Sequence, residues 1–242
     1  LILPLPEDLE PSELHNEVKA SPFDNLIFLA DKPLDYTSAD IVRIFKKDLN
    51  ISKIGHSGTL DPRATGLLVL CSGKLTKKIT EFIDYDKSYE GVIRIGATTK
   101  SFDTETEEEN LTETSRITDA DLENVRKSFL GLISQMPPMY SALKHKGKPL
   151  YKFARKGRDI ERKPREINVT EFEVRRINET EIGFRISASK GAYIRTIAND
   201  FGMKLGVGGY LKELRRTRIG GFKLDDFQNK VRDIPYKIFE MT

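Results

Sequence analysis

The sequence predicts an α+β fold, in which helices and strands are mixed without a regular alternation. Short apolar runs at 26–29 and 67–70 are typical of buried strands. Residues 182–188 alternate between apolar and polar side chains, as in a strand with one buried face. Residues 41–49 and 194–205 carry apolar side chains at helical spacing. Because these segments do not repeat as strand–helix units, a doubly wound parallel sheet is disfavoured.

In the first half of the chain we expect two buried strands, a helix between them, and then a half-buried strand. Thr37 or Ser38 can cap the helix, because a hydroxyl accepts hydrogen bonds from the N–H groups of the first turn. The inward face of this helix consists of Ile41, Ile44, Phe45 and Leu49. The half-buried strand turns alternate residues to one side, namely Tyr89, Gly91, Ile93 and Ile95.

In the second half we expect a helix, a hairpin and a second helix. Thr118, followed by Asp121, can cap the first of these helices, whose inward residues are Leu122, Val125, Phe129, Leu130 and Ile133. The hairpin joins 167–176 to 182–188 through a turn at 178–180. The last helix turns Ile194, Ile197, Ala198, Phe201 and Leu205 inward and stops at Gly206.

Composition excludes several classes of protein. Of 242 residues, 38% are hydrophobic, which is enough for a sizeable core. A single cysteine, Cys71, cannot form an intramolecular disulfide or a thiolate metal cage. His15, His56 and His145 lie far apart and lack ligand spacing, so we expect no metal site. With no secretory leader and no apolar run of membrane-spanning length, the sequence predicts a cytoplasmic protein without a membrane partner.

Positive charge is concentrated in one segment. The chain has 40 basic and 37 acidic residues, a net charge of +3, yet residues 144–166 alone hold ten Lys/Arg and three Asp/Glu. The rest of the chain is slightly acidic, so this segment predicts a contact with a polyanion, with a solvated loop as the alternative. The acidic stretch Asp103–Glu113 is expected to be an exposed loop that faces away from any nucleic acid.

The segment Gly55–Leu68 is the most informative part of the sequence. Glycines and a proline surround one carboxylate, Asp61, and one imidazole, His56. Such a loop lets the backbone approach a ligand closely, and Pro62 biases Asp61 towards an extended conformation that presents its side chain. On residue types alone, a simple Asp-Pro turn and a structural histidine remain the more common alternatives.

The same segment resembles the catalytic motif of the TruB family of tRNA pseudouridine synthases. Five further segments resemble that family in the same order, over about residues 25–222: Asp31–Pro33, Lys87–Tyr89, Met136–Lys144, Ser189–Thr196 and Leu214–Thr217. The resemblance implies a pseudouridine-synthase fold with a mixed, largely antiparallel sheet flanked by helices. It also implies that residues 135–166 form a basic, RNA-clamping insertion.

The resemblance implies a role for each candidate site residue. Asp61 would be the catalytic carboxylate, acting on either the sugar or the base, and Arg195 would pair with it. Tyr89 would stack on the extruded uracil, with Tyr193 and Leu214 completing the pocket. His56 would fill the space that the base leaves, and Lys32 would support the motif or contact RNA. The expected RNA-backbone contacts are Lys144, Lys152, Arg155, Arg158, Arg215 and Arg216.

The resemblance further implies a monomeric enzyme that needs no cofactor, metal or protein partner and acts on the T stem-loop of tRNA. We expect an N-terminal arm at 1–24, a catalytic domain at 25–222 and a short tail at 223–242 in place of a full C-terminal RNA-binding domain. The stretch 96–106 departs from the family pattern, since Lys100, Ser101 and Thr106 replace residues usual there.

Three other functions compete with this interpretation. A guide-RNA-directed rRNA pseudouridine synthase fits the Asp61 segment equally well, although the insertion argues for the tRNA enzyme. A non-catalytic RNA chaperone would use the basic insertion but gives Asp61 and Arg195 no reason to occur together. A nucleotide-binding protein, suggested by the glycines of 206–209, lacks a phosphate-loop lysine pattern.

Overall fold

One large mixed sheet, with helices on its faces, organises the chain. The computed structural model describes residues 21–225, 227 and 229–239. It confirms the predicted α+β class. The predicted arm at 1–24 falls mostly outside the described residues.

The helices of the described residues are α1 (Ser38–Asp48), α2 (Ile79–Asp84), α3 (Asp119–Lys127), α4 (Tyr151–Ala154) and α5 (Ile194–Lys204), with a 3-10 helix at Gly73–Lys78. The strands are β1 (Ile27–Lys32), β2 (Ile54–Ser57), β3 (Ala64–Ser72), β4 (Lys87–Ile95), β5 (Thr98–Thr99), β6 (Glu108–Glu109), β7 (Gly131–Gln135), β8 (Lys144–His145), β9 (Lys148–Pro149), β10 (Arg165–Arg176), β11 (Glu181–Ala188), β12 (Gly209–Ile219), β13 (Phe222–Lys223), β14 (Asn229–Val231) and β15 (Ile234–Phe239).

The main sheet runs in the order β14-β15-β1-β3-β12-β4-β11-β10-β7, with β13 beside β12 and β2 beside β3. Its pairs are antiparallel except β3 with β12, which is parallel. β15 pairs with β1, so residues 234–239 are part of the main sheet. The proposed division into domains stays a prediction.

Helices cover both halves of the sheet. α3 and α5 pack on the half that contains β4, β10 and β11, around Phe129, Phe172 and Phe201. α1 packs on one face of β1 and β3, around Phe28 and Phe45. α2 and the 3-10 helix cover the other face of those two strands. The loop that follows β2 and the first turn of α5 therefore approach each other near the centre of the sheet.

Local sequence signals set most of the boundaries. Thr37 caps α1 and Thr118 caps α3, each in a capping box completed by an aspartate three residues later. The predicted hairpin forms between β10 and β11. α5 ends as expected before Gly206, which adopts a positive φ of 75°.

The prediction for the end of α3 was wrong. The helix stops at Lys127, and the chain re-enters the sheet as β7, where Ile133 pairs with Ile167 of β10. Leu130 is 41% exposed rather than inward, whereas Phe129 is buried as expected. Gly131, at a φ of 83°, begins the strand, and this conformation is incompatible with a continuing right-handed helix.

Candidate active site

A short loop between β2 and β3 carries Asp61. Ser38, at the start of α1, binds the backbone of this loop. Its hydroxyl accepts a hydrogen bond from the Leu60 amide at 2.9 Å and donates one to the Leu60 carbonyl at 3.2 Å. The Pro62 carbonyl accepts from the amide of Asp35 at 2.9 Å. Leu60 is buried, while the side chain of Asp61 remains 41% exposed. The loop is therefore fixed by its backbone and presents its carboxylate.

Arg195, in the first turn of α5, lies against this carboxylate as expected. Its Nε lies 2.8 Å from Oδ2 of Asp61. The two atoms form an ion pair but not a hydrogen bond, because the geometry of the N–H group does not suit one. The terminal nitrogens donate to the carbonyls of Ser101 at 3.0 Å and Tyr140 at 2.7 Å. With only 5% of its side chain exposed, Arg195 is fixed by three separate segments of the chain.

Asp103 is a second acid beside Arg195, and the sequence analysis missed it. Its Oδ2 lies 3.5 Å from Nε of Arg195, and its side chain is 6% exposed. Burial raises the pKa of Asp103, and the positive charge of Arg195 opposes that rise. The expectation of an exposed acidic loop at 103–113 was therefore wrong for Asp103, because the loop folds back onto α5.

A cavity of about 370 Å³ opens in front of this acid–arginine pair. Asp61, Tyr89, Tyr193, Arg195 and Leu214 line it together, although they come from four separate parts of the chain. The Arg165 guanidinium stacks over the Tyr193 ring at 5.0 Å from its centroid. A volume of this size is within the range of pockets that hold small ligands or one extruded nucleotide.

His56 lies on β2, half-buried, and is not among the residues that line the cavity. Its Nδ1 finds no hydrogen-bond partner among the described residues. Burial lowers the pKa of His56, and the nearby charge of Arg216 lowers it further. The imidazole thus favours its neutral form, and the role of filling the space left by a base stays a prediction.

Three further cationic side chains near the site are buried, those of Lys32, Lys87 and Arg216. Each donates hydrogen bonds to backbone carbonyls. Lys32 bonds the carbonyls of Pro33 and Tyr36, at 2.9 and 2.8 Å. Lys87 bonds those of Ile83 and Tyr85, both at 2.5 Å, and lines the cavity. Arg216 bonds those of Leu67 and Gly58, at 2.8 and 3.0 Å. Burial lowers the pKa of Lys32 and that of Lys87 to about 8.

The burial of Lys32 and Arg216 contradicts their predicted contacts with RNA. Lys32 is fully buried and Arg216 is 1% exposed, so neither side chain reaches the outer surface. Lys32 bonds carbonyls of the loop that follows its own strand, so its support of the Asp61 segment stays a prediction, whereas an RNA contact disagrees with its burial. Lys87 was noted in the sequence only as part of a strand, and its burial depends on contacts with α2 that no local pattern reveals.

The basic insertion at 135–166 lies beside the cavity and contains β8, β9 and α4. Gln135 anchors its base by exchanging two hydrogen bonds with the backbone of Tyr193. The predicted contact residues Lys144, Lys152, Arg155 and Arg158 are all exposed. Arg155 already has a partner, since its Nη2 lies 2.6 Å from Oε1 of Glu105. Arg215, on β12, forms an ion pair with Asp31 at 2.6 Å and is partly exposed.

Within the described residues, no group of three or more His, Cys, Asp and Glu side chains is arranged to hold a metal ion. No helix in the same part of the chain is both long and apolar enough to cross a membrane.

Two family descriptions match consecutive parts of the chain. Residues 46–194 match the TruB family pseudouridylate synthase N-terminal domain, and residues 195–234 match the tRNA pseudouridylate synthase B C-terminal domain. The first match contains Asp61, Tyr89 and the basic insertion. The second begins at Arg195.

Several relatives are similar over most of their length. A protein of Chloroherpeton thalassium named tRNA pseudouridine synthase B is 49% identical over 220 residues, which are 89% of this chain and 91% of that protein. A protein of the same name from Chlorobium chlorochromatii is 49% identical over 203 residues, 82% of this chain and 80% of that one. Another, from Flavobacterium johnsoniae, is 46% identical over 81% of this chain and 89% of its own length.

Solved structures show the same fold. A chain in the crystal structure of a Cbf5-Nop10-Gar1 complex superposes with a TM-score of 0.66 at 30% identity, over 84% of this chain. A chain of an H/ACA RNP bound to a substrate RNA containing 2′-deoxyuridine gives 0.63 at 28% identity. This chain spans about half of each of these longer chains, 51% and 50%. With the family matches, these likenesses confirm the predicted pseudouridine-synthase fold.

Proposed function

This chain belongs to the TruB family of pseudouridylate synthases, and we propose that it converts the T-loop uridine at position 55 of tRNA into pseudouridine. The observation that carries this proposal is the placement of Asp61. An acid that is 41% exposed faces a cavity lined by two tyrosines and is paired at 2.8 Å with a buried arginine. Relatives that are 49% identical are named for the same activity.

The chemistry requires one carboxylate and a sheltered cavity. Breaking the bond between C1′ and N1 leaves an electron pair on uracil and a positive charge on the sugar. After the base has turned, C5 bonds to C1′, C5 loses its proton and N1 gains one. Asp61 would stabilise or capture an electrophilic centre during this exchange, as carboxylates do in glycosidases that retain configuration. Water must be excluded, because it would intercept the detached sugar.

The other lining residues fit the binding of an extruded base. Aromatic stacking returns about 1–3 kcal/mol per base, which offsets part of the cost of extrusion. We therefore assign Tyr89 to stacking on uracil, and Tyr193 and Leu214 to the walls of its pocket. Arg195 would hold Asp61 at the anomeric carbon. The insertion 135–166 would contact phosphates of the T stem-loop through Lys144, Lys152, Arg155 and Arg158, by charge and shape rather than by base reading.

The test is pseudouridine mapping on an unmodified tRNA transcript, without guide RNA, metal or any other protein. We expect one modified position, in the T loop, and no product from a transcript with cytidine at that position. Modification at other positions, or none at all, would contradict the proposal. The same assay tests our further proposal that the enzyme needs no protein partner. We also propose that it is a monomer, which its mass in solution would test, and that it acts in the cytoplasm, which cell fractionation would test.

A guide-RNA-directed activity is the second candidate. It is favoured by the structural likeness to a chain of a Cbf5-Nop10-Gar1 complex, at a TM-score of 0.66, and to a chain of an H/ACA RNP bound to a substrate RNA, at 0.63. Sequence similarity weighs against it, because identity is 49% to proteins named tRNA pseudouridine synthase B but 28–30% to these chains. Product that forms only after a guide RNA is added would establish this second candidate.

A further inference from the structure

Arg216 lies where three strands of the site meet. In the register of the sheet, it is opposite Gly66 of β3 on one side and opposite Tyr89 of β4 on the other. It is 1% exposed and is among the largest fully buried side chains of the described residues. Arg216 lines the same cavity as Asp61 and Tyr89.

The hydrogen bonds of Arg216 bracket the loop that carries Asp61. Its Nε donates to the carbonyl of Leu67 at 2.8 Å, and its Nη2 donates to the carbonyl of Gly58 at 3.0 Å. Gly58 precedes Asp61 by three residues and Leu67 follows it by six. One planar group therefore binds both the start of this loop, at Gly58, and the strand β3 that follows it, at Leu67, which a lysine ammonium of different geometry would not reproduce.

The same guanidinium acts on Tyr89. Residues opposite each other on neighbouring strands turn their side chains to the same face, so the phenol and the guanidinium are neighbours. Burial raises the pKa of Tyr89, while the charge of Arg216 and a hydrogen bond to it oppose that rise. The ring that we assign to base stacking is thus held by the group that holds the acid loop.

The backbones of β3 and β12 pack closely together at Arg216. A Cβ on Gly66 would come within 2.3 Å of the Arg216 carbonyl oxygen, so β3 and β12 touch without a side chain between them. A displacement of Arg216 would therefore move β3 directly. No carboxylate forms a salt bridge with Arg216 among the described residues, where the nearby Asp61 is paired with Arg195. A buried guanidinium with only carbonyl and phenol partners is costly, which argues for a requirement beyond packing.

We propose that Arg216 is a positioning residue of the pseudouridylation reaction, which sets the distance between the Asp61 carboxylate and the Tyr89 ring. The proposal rests on the proposed function of this site. It predicts that loss of the guanidinium slows the reaction of bound tRNA without weakening the binding of tRNA.

The experiment compares Arg216→Lys and Arg216→Met with Arg218→Lys. Arg218 is two residues further along β12 and donates to the Ser88 hydroxyl at 3.0 Å, away from the cavity, so it is a matched control. We measure the single-turnover rate at saturating tRNA, per folded molecule, together with the Kd for tRNA. Both Arg216 variants should lower the rate on the order of 100-fold, since small displacements of reacting groups have effects of that size. Their Kd, and both values for the control, should stay within about threefold of wild type.

Arg216→Met keeps a similar length without burying a charge, so it covers the case in which the lysine variant fails to fold. A Tyr89→Phe variant then tests the shared role. In the double variant Arg216→Met with Tyr89→Phe, the rate should fall by clearly less than the product of the two single effects. A wild-type rate in both folded Arg216 variants, or fully multiplicative effects in the double variant, would overturn the proposal. If wild-type protein forms no pseudouridine at all, the proposed function fails instead.

Discussion

Asp61 and Arg195 form an ion pair of unequal exposure: the acid is 41% exposed, whereas the arginine is 5% exposed. The two terminal nitrogens of Arg195 are bound to carbonyls of separate loops, at Ser101 and Tyr140. The arginine is therefore the fixed member of the pair, and the acid is the member that can meet a ligand. This asymmetry is what a reacting carboxylate needs, because it is oriented without being covered.

Asp61→Asn should abolish product while tRNA binding is retained. The amide keeps the shape of the side chain but removes the negative charge that would stabilise or capture the electrophile. We expect the single-turnover rate to fall by at least about 10³-fold, with a Kd within about threefold of wild type. The control is Asp35→Asn. Asp35 is an exposed acid that forms an ion pair with Arg63, and Arg63 lies on the same loop as Asp61. Loss of binding and product together would instead make Asp61 a folding residue.

Asp103→Asn should slow the reaction less severely than Asp61→Asn. Asp103 is the second acid beside Arg195, and its removal leaves the arginine held on that side only by carbonyls. A displaced arginine would misplace Asp61, so we expect a rate roughly 10–100-fold lower at saturating tRNA. Asp119→Asn is the control, because it breaks another aspartate–arginine ion pair, with Arg176 at 2.6 Å, whose residues do not line the cavity. Equal rates for the two variants would remove Asp103 from the site.

Local patterns predicted those parts of the fold that depend on neighbouring residues. The helix caps at Thr37, one of two candidates, and at Thr118 were confirmed, as was the β10–β11 hairpin, because each is set by residues a few positions apart. The predicted extension of α3 to Ile133 was wrong because the conformation of that segment depends on distant residues. It is decided by the pairing of β7 with β10, which local helical spacing does not indicate.

The interior of the site was less predictable. Arg195 meets Ser101 over a separation of 94 residues, and Arg216 meets Leu67 over 149 residues. The burial of Asp103 and Arg216 depends on such contacts, so their charges suggested surface positions to the sequence analysis. The Asp61–Arg195 pair was anticipated only through the resemblance to a family, since neither residue type nor spacing indicates a partner 134 positions away.

Neutralising the insertion should weaken tRNA binding and reduce its dependence on salt. Lys152, Arg155 and Arg158 are exposed and lie in the segment of highest positive charge. If each contacts one phosphate, the triple change to Gln should reduce the slope of log K against log salt by about 2–3. The measurement is a binding titration at several salt concentrations. The control is the triple change of Arg43, Lys46 and Lys47 to Gln on α1, which is also exposed. Equal slopes for the two triple variants would exclude the insertion from the RNA interface.

Glu105→Gln should strengthen tRNA binding. Glu105 holds Arg155 at 2.6 Å, so a phosphate must compete with this carboxylate for the guanidinium. An exposed ion pair is worth about 0.2–1 kcal/mol, so its removal should lower Kd by up to about fivefold. Glu107→Gln removes the same charge from the same exposed loop and is the control for long-range repulsion. If the two variants bind equally, or if Glu105→Gln has the same effect in an Arg155→Gln background, the ion pair does not restrain the insertion.

Lys32→Met should change how stability depends on pH. Burial lowers the pKa of Lys32 to about 8 in the folded protein, against an ordinary value of 10.5, and the charge of Asp61 only partly opposes the shift. Below pH 8 the ammonium is charged in both states, and its burial reduces the free energy of unfolding. Between pH 8 and 10.5 the folded protein loses this proton first, so the unfolded state binds more protons and the lysine's contribution to stability rises with pH. The measurement is the free energy of unfolding in urea at pH 7.5, 8.5 and 9.5.

This free energy should rise with pH in wild type relative to Lys32→Met, towards a limit of about 3 kcal/mol above pH 10.5. Lys127→Met, which removes an exposed lysine, should show a constant difference from wild type. A constant difference for Lys32→Met as well would mean that this ammonium is not desolvated in the folded protein.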